Sequence, residues 1–193
     1  WGHTYAYIFP QIYQSEIHTR TGQSAFFGIT KILKVEVMHR VTDYYGPVVY
    51  TNFANPENNY QPDTQEEVYD EFFHELDTAV TVLSDYIERM PEAAEFARFD
   101  ILLDGKYSSW IKVANSLRMR LAMRLAVVSP LKARSEFLKA LDNAYGVFEY
   151  ATELASVSTG SGYSNPLGEL NRVWNETYMN ASIESIMNGY GDP

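Results

Sequence analysis

Apolar residues recur at spacings of three and four along most of this chain, the period of an amphipathic helix. The clearest stretch covers residues 106–126. There Trp110, Val113, Ala114, Leu117, Leu121 and Leu125, with Val128 just beyond, line one face. Lys112, Asn115, Arg118, Arg120 and Arg124 mark the other side as a solvated face, and Ser108 or Ser109 is placed to cap the start. Residues 1–20 hold Tyr5, Ile8, Phe9, Ile12, Tyr13 and Ile17 at mostly helical spacing, with Pro10 set to kink or restart the helix. A turn at 21–24 leads to a second helix, capped by Ser24 and running to Tyr44. Phe26, Ile29, Leu33, Val37 and Val41 form one apolar face of it, and Ile32, Val35 and Met38 a second, as expected of a helix packed between neighbours. Gly46 and Pro47 stop it.

Residues 47–63 turn to Asn, Pro, Tyr and Glu and read as a long loop. Thr64 and Glu67 form a capping box for a third helix reaching Arg89, with the stripe Tyr69, Phe72, Leu76, Ala79, Val80, Leu83 and Ile87. Residues 98–107 read as a connector with room for a short extended piece. Ser129-Pro130 signals a helix over 130–145, ended by Gly146. From Ser156 the chain becomes rich in Gly and Ser, so 156–178 is expected to be a loop-rich insertion, and a last short helix is expected over 180–187. Successive helices with short joints predict an all-α, tetratricopeptide-like helical array with long loops.

Composition narrows the function. The formal net charge of −10 disfavours nucleic acid and anionic lipid headgroups as partners. Without cysteine there is no disulfide, zinc–thiolate site or thiol nucleophile. No apolar run approaches the roughly 20 residues needed to span a bilayer. Trp1-Gly2-His3 at one end and Gly191-Asp192-Pro193 at the other make the chain read as an excerpt of a longer protein, with no leader of its own. His3, His18, His39 and His74 show no metal-ligand spacing, and neither a phosphate-gripping glycine loop nor a nucleophile elbow occurs. No cofactor and no metal follow from these residues. A glycosidase pair stays open on sequence, because its two carboxylates meet only in the fold.

Aromatics make up 15% of the chain, with 15 Tyr. Sugar binding needs flat aromatic faces for the C–H side of the ring and amides or carboxylates for the hydroxyls. The best local set is Tyr163, Asn165, Asn171, Trp174, Asn175 and Tyr178. Trp174 and Tyr178, four apart, also fit one apolar helix face. The 52–60 loop, with Phe53, Asn55, Asn58, Asn59 and Tyr60, is a second candidate. Trp110 is expected in the core.

The order Tyr107, Trp110-Ile111-Lys112, Ala114-Asn115-Ser116-Leu117-Arg118 resembles a segment of the SusD/RagB family, and most closely its SusD-like branch. Three other segments agree in order. Asp43-Tyr44-Tyr45-Gly46-Pro47 resembles the family's Asp-x-Tyr-Gly-x-x-Pro corner, except that proline follows glycine directly. Thr64-Gln65-Glu66-Glu67-Val68-Tyr69, with Glu75-Leu76-Asp77 and Ala79, resembles the next helix. Met179-Asn180-Ala181-Ser182 followed by Gly189-Tyr190-Gly191-Asp192-Pro193 is similar to the stretch before a family Asp-Pro-Arg.

The resemblance covers the N-terminal helical portion of such a protein, 1–193, without the lipidated cysteine or the C-terminal half. It implies an outward-facing outer-membrane lipoprotein that meets the membrane only through a lipid anchor absent from this chain. It also implies a non-catalytic protein that captures glycan or another nutrient for a TonB-dependent transporter of the SusC type. A helical protein-interaction scaffold with no small ligand is the alternative, and an all-α carbohydrate-active hydrolase a third reading.

Overall fold

The computed structural model describes residues 1–22, 25–55, 57, 59–150, 153, 155–157, 164–175, 178 and 180–191. They fall into two compact units, Trp1–Ser156 and Val157–Pro193. The fold is all-α. Among the described residues the only extended pairing is a single antiparallel bridge between Val48 and Asp63.

In the first unit a π-helical turn, Thr4–Ile8, runs into α1 (Phe9–Arg20). Pro10 stands just after that turn, where the helix passes from π to α without a break; lacking an N–H it cannot carry on the bonding pattern, and the change of pattern falls at the kink or restart that its position predicts. The expected cap at Ser24 lies outside the described residues. α2 (Ala25–Tyr45), α3 (Gln65–Arg89), α4 (Tyr107–Arg124) and α5 (Pro130–Leu141) follow, and each packs on its neighbours in the chain.

The capping box is in place: the Thr64 hydroxyl accepts from Glu67 N–H, and the Glu67 carboxylate accepts from Thr64 N–H at 2.8 Å. One core joins Ile32, Val35 and Met38 of α2, Phe72, Leu76 and Leu83 of α3, and Trp110, Ile111 and Leu121 of α4. Full burial of such side chains stabilises by about 1.5–3 kcal/mol each. α2 and α3 approach closely at Gly28, where a Cβ would lie 2.9 Å from Leu83. The second predicted face of α2 is buried, but on the first Leu33 is exposed and Phe26 and Val37 are only half-covered.

Several expectations for α4 are corrected. It begins at Tyr107 with Lys106 as the capping residue, and neither Ser108 nor Ser109 caps it. The start is set instead by Asp100, whose carboxylate accepts from the backbone N–H of Leu102, Leu103 and Gly105 and from Trp110 Nε1 at 2.8 Å. Residues 98–107 are therefore a chain of turns gathered around one buried carboxylate, not an extended piece. Gly105 sits at φ +74°, and a Cβ there would meet the backbone of Ala97 at 2.5 Å.

The polar side of α4 is only partly solvated. Arg118 and Asn115 are buried. Arg118 donates to Asp77 at 2.5 Å, to Phe73 C=O at 3.2 Å and to Glu136, so α3 and α5 close over it with its charge paired. Val128, assigned to the apolar stripe, lies beyond the helix and is exposed. α5 stops at Leu141, short of the expected 145, because Asn143 folds the chain into a turn by accepting from Tyr145 N–H at 3.0 Å.

The second unit holds α6 (Pro166–Trp174) and α7 (Ala181–Tyr190). Asn165 and Asn180 cap them by accepting from the N–H two residues on, at 3.0 and 2.9 Å.

Candidate functional site

Residues of the leading sugar-binding candidate sit in and beside α6. Asn171, Trp174 and Asn175 stand three and four apart, so one face of the helix end gathers them. Trp174 is 62% exposed and Tyr178 79%. Asn175 adopts φ +50°, a left-handed turn that ends the helix directly after Trp174. Tyr178 therefore lies past that turn, and the reading of Trp174 and Tyr178 as one continuous helix face does not hold. Asn165 caps the far end of α6, about 13 Å along the axis at 1.5 Å per residue, with its side-chain oxygen already accepting from Leu167. Tyr163 lies outside the described residues. The fold thus gathers an exposed indole and two amides, and sets Asn165 apart from them.

The 52–60 loop is built differently. Its base is clasped by Asp63, which accepts from Tyr50 N–H at 2.8 Å, from Thr51 N–H at 2.9 Å and from the Thr51 hydroxyl. Phe53 turns inward onto Phe9, with ring centroids 4.4 Å apart, and onto Tyr13 at 5.5 Å. Its ring is half-buried and engaged in packing. Asn55 accepts from Glu57 N–H at 3.2 Å, Tyr60 is exposed, and Asn58 lies outside the described residues.

A buried ionic cluster was not anticipated from the sequence. Glu75 of α3 accepts from Lys31 at 2.9 Å, from Lys34 at 2.6 Å and from the Tyr50 hydroxyl. Glu16 of α1 pairs with the same two lysines at 2.8 and 3.3 Å, and with Arg20 at 2.9 Å. Burial alone would raise the Glu16 carboxyl, but Lys34, Lys31 and Arg20 outweigh it and hold it at about 2. Lys31 is raised because Glu75 and Glu16 overcome its desolvation. Tyr50 is pushed well above its ordinary range by burial and then by Glu75. The available signal was Lys31 and Lys34 standing three apart within a helix that is apolar on two sides.

For hydrolysis these groups are poorly placed. Glu71 is raised, first by burial and then by Glu75, in the direction a general acid needs. Its carboxylate neighbour Glu75 is buried under two lysines and a tyrosine, where a substrate does not reach. Among the described residues no group of three or more His, Cys, Asp or Glu could hold a metal ion. No helix among them is long and apolar enough to cross a membrane.

A family model described as SusD-like, Susd and RagB outer membrane lipoprotein, matches residues 1–193. The chain belongs to the SusD-like family. Membership in this family of outer membrane lipoproteins places the protein at the outer membrane. A SusD homolog from Bacteroides vulgatus is 47% identical, with a TM-score of 0.87 over 100% of this chain and 39% of its own. A chitin-binding SusD homolog from Flavobacterium johnsoniae is 38% identical, with a TM-score of 0.87 over 100% of this chain and 40% of its own. A SusD-like protein from Bacteroides thetaiotaomicron is 29% identical, with a TM-score of 0.83 over 100% and 39%. No curated protein matches the chain. The chain thus spans about two fifths of the length of these SusD-like structures, and its fold is the helical, tetratricopeptide-like one they share.

Proposed function

We propose that this protein captures a glycan at the cell surface without making or breaking a bond, and hands it to a TonB-dependent transporter of the SusC type. The observation that carries this reading is the likeness, over the whole chain, to a SusD homolog described as chitin-binding. Neutral sugars offer C–H faces to aromatic rings and hydroxyls to amides, so stacking and hydrogen bonding suffice for capture and release. Trp174, Asn171 and Asn175 supply that chemistry from one exposed helix end, with Tyr178, Asn165 and Tyr163 as the further candidates of the same segment. Engagement of Glu16 and Glu75 by lysines supports binding over hydrolysis.

A scaffold reading has one observation in its favour. A groove of about 460 Å³ between α2 and α4 is lined chiefly by apolar side chains, among them Leu33, Val113, Leu117 and Phe148, with Glu36 and Arg120 beside them, a surface suited to polypeptide.

Calorimetry of the full-length protein against a glycan panel that includes chitin oligosaccharides tests the two, with Trp174→Ala beside the wild type. Capture predicts glycan binding, weakened in the variant if part of the site lies in this portion. Binding unchanged in the variant keeps the function and moves the site elsewhere. Absence of any glycan binding, with affinity for the transporter retained, favours the scaffold.

A further inference from the structure

A second surface combines exposed aromatic rings with polar neighbours, and it lies in the first unit, remote in sequence from Trp174. It is a groove of about 410 Å³ between the N-terminal turn and the C-terminal half of α2. Trp1, Tyr44 and Tyr45 line it together with the more buried Val37 and Val41. Tyr44 is 84% exposed, Tyr45 59% and Trp1 60%.

These rings are presented by a fixed element. Gly46, at φ +75°, ends α2 with its N–H bonded to Thr42 C=O at 2.8 Å, while the Thr42 hydroxyl donates to Gly46 C=O at 2.6 Å. Asp43, just before the tyrosines, accepts from the Tyr69 hydroxyl at 2.7 Å and pairs with Arg124 at 2.9 Å. Trp1 packs on Tyr5 with ring centroids 5.0 Å apart, and the Tyr5 hydroxyl is tied to Val49 C=O at 2.8 Å.

The charges in the groove cancel. Glu36 and Arg40, which also line it, pair with each other at 3.2 Å. Such a surface has no net attraction for an acidic or a basic partner, yet keeps N–H donors and carboxylate acceptors free for hydroxyl groups. The α2–α4 groove differs in its rings: it carries Glu36, Ser116 and Arg120 as polar groups, but its Trp110 is buried in the core, whereas Trp1, Tyr44 and Tyr45 are exposed.

We propose that Tyr44, Tyr45 and Trp1 form a second contact surface for a neutral glycan, taking the C–H face of sugar units on their rings and the hydroxyls on Glu36 and Arg40. The inference rests on the glycan-capture reading above and adds a place and a chemical class to it: uncharged sugars, not uronic acids or sulfated chains.

The test is calorimetry on the full-length protein with chitin oligosaccharides of increasing length and a set of other neutral and acidic glycans. Tyr44→Ala/Tyr45→Ala is measured beside the wild type and Tyr44→Phe/Tyr45→Phe. Both side chains are exposed, so thermal melting should be unchanged in either double variant. Two stacked rings together are worth about tenfold in affinity. The alanine variant should bind neutral oligosaccharides about tenfold more weakly, and the phenylalanine variant should keep most of the affinity. Wild-type glycan binding that survives the alanine variant unchanged overturns this surface and leaves the capture reading standing. Equal loss in the phenylalanine variant overturns stacking as the mechanism. Glycan binding intact while transporter affinity falls reassigns the groove to a protein partner. No glycan bound by the wild type overturns the capture reading, and this surface with it.

Discussion

The two units differ in what they bury. In Trp1–Ser156, charged side chains go inside and are closed into networks: Glu16 and Glu75 around Lys31 and Lys34, Arg118 between Asp77 and Glu136, Asp100 under Trp110. In Val157–Pro193, Trp174, Tyr178 and Tyr190 face solvent, and no described residue is buried. A buried charge that loses its partner bears the full desolvation cost, whereas an exposed ring that is removed leaves nothing stranded. Substitutions of the buried charges of the first unit should therefore move stability, and those of the exposed rings of the second should move binding alone.

The largest effect is expected at Glu75. Glu75→Ala strands Lys31, Lys34 and the Tyr50 hydroxyl in the core and should cost about 3–5 kcal/mol. Denaturant unfolding of the full-length protein measures it, and a loss below about 1 kcal/mol would mean that the cluster is solvated. Asp100→Ala comes next. It leaves three backbone N–H groups and the indole N–H without an acceptor, at a cost of about 2–3 kcal/mol, and Asp100→Asn should recover part of that.

Acid sharpens the same contrast. Glu16 is held at about 2 in the folded protein against an ordinary 4.5, so its contribution is fully present above pH 4.5 and fades as pH falls towards 2. Lys31, raised when folded, contributes fully below its ordinary 10.5 and loses that contribution only as pH rises beyond it. Stability of the wild type should fall between pH 4.5 and 2, and Glu16→Gln should flatten that limb in a pH series of unfolding curves. An unchanged acid limb would remove Glu16 from the cause.

The smallest stability effect belongs to Trp174→Ala, within about 0.5 kcal/mol of wild type, because its ring is exposed. Comparison of its melting curve with its glycan affinity decides whether the second unit serves binding without serving the fold. A large drop in melting temperature would erase the distinction between the units.

Much of the helical frame is legible in local pattern. The Thr64–Glu67 capping box, Pro130 at a helix start and the Trp110–Leu121 stripe all depend on residues within a turn or two of one another, and the structure contains each of them. Where partners come from afar, pattern fails. Arg118 and Asn115 read as surface because polar residues on one side of a helix usually are, yet Asp77, Glu136 and the carbonyl of Gly146 reach them from other segments. Ser108 and Ser109 were plausible caps until Asp100 organised the preceding turns and set the start at Tyr107.

Of the candidate site, the residue types were legible and their grouping was not. Asn171, Trp174 and Asn175 share a helix end because Asn175 takes a left-handed turn, and that same turn removes Tyr178 from the helix. The aromatic groove at Trp1, Tyr44 and Tyr45 joins the first residue of the chain to positions more than forty residues on.

Sequence by itself determined the all-α class, the order of the helices in the first unit, the Thr64–Glu67 capping box and, through four collinear motifs, the SusD-like family. These are properties of neighbours along the chain, set by helical period and by backbone groups that need partners close at hand. Tertiary structure alone decided which charges are inside, which aromatics face solvent and which distant residues share a groove. Burial and ion pairing are set by what packs across from a side chain, and a helical period records only which way that side chain points.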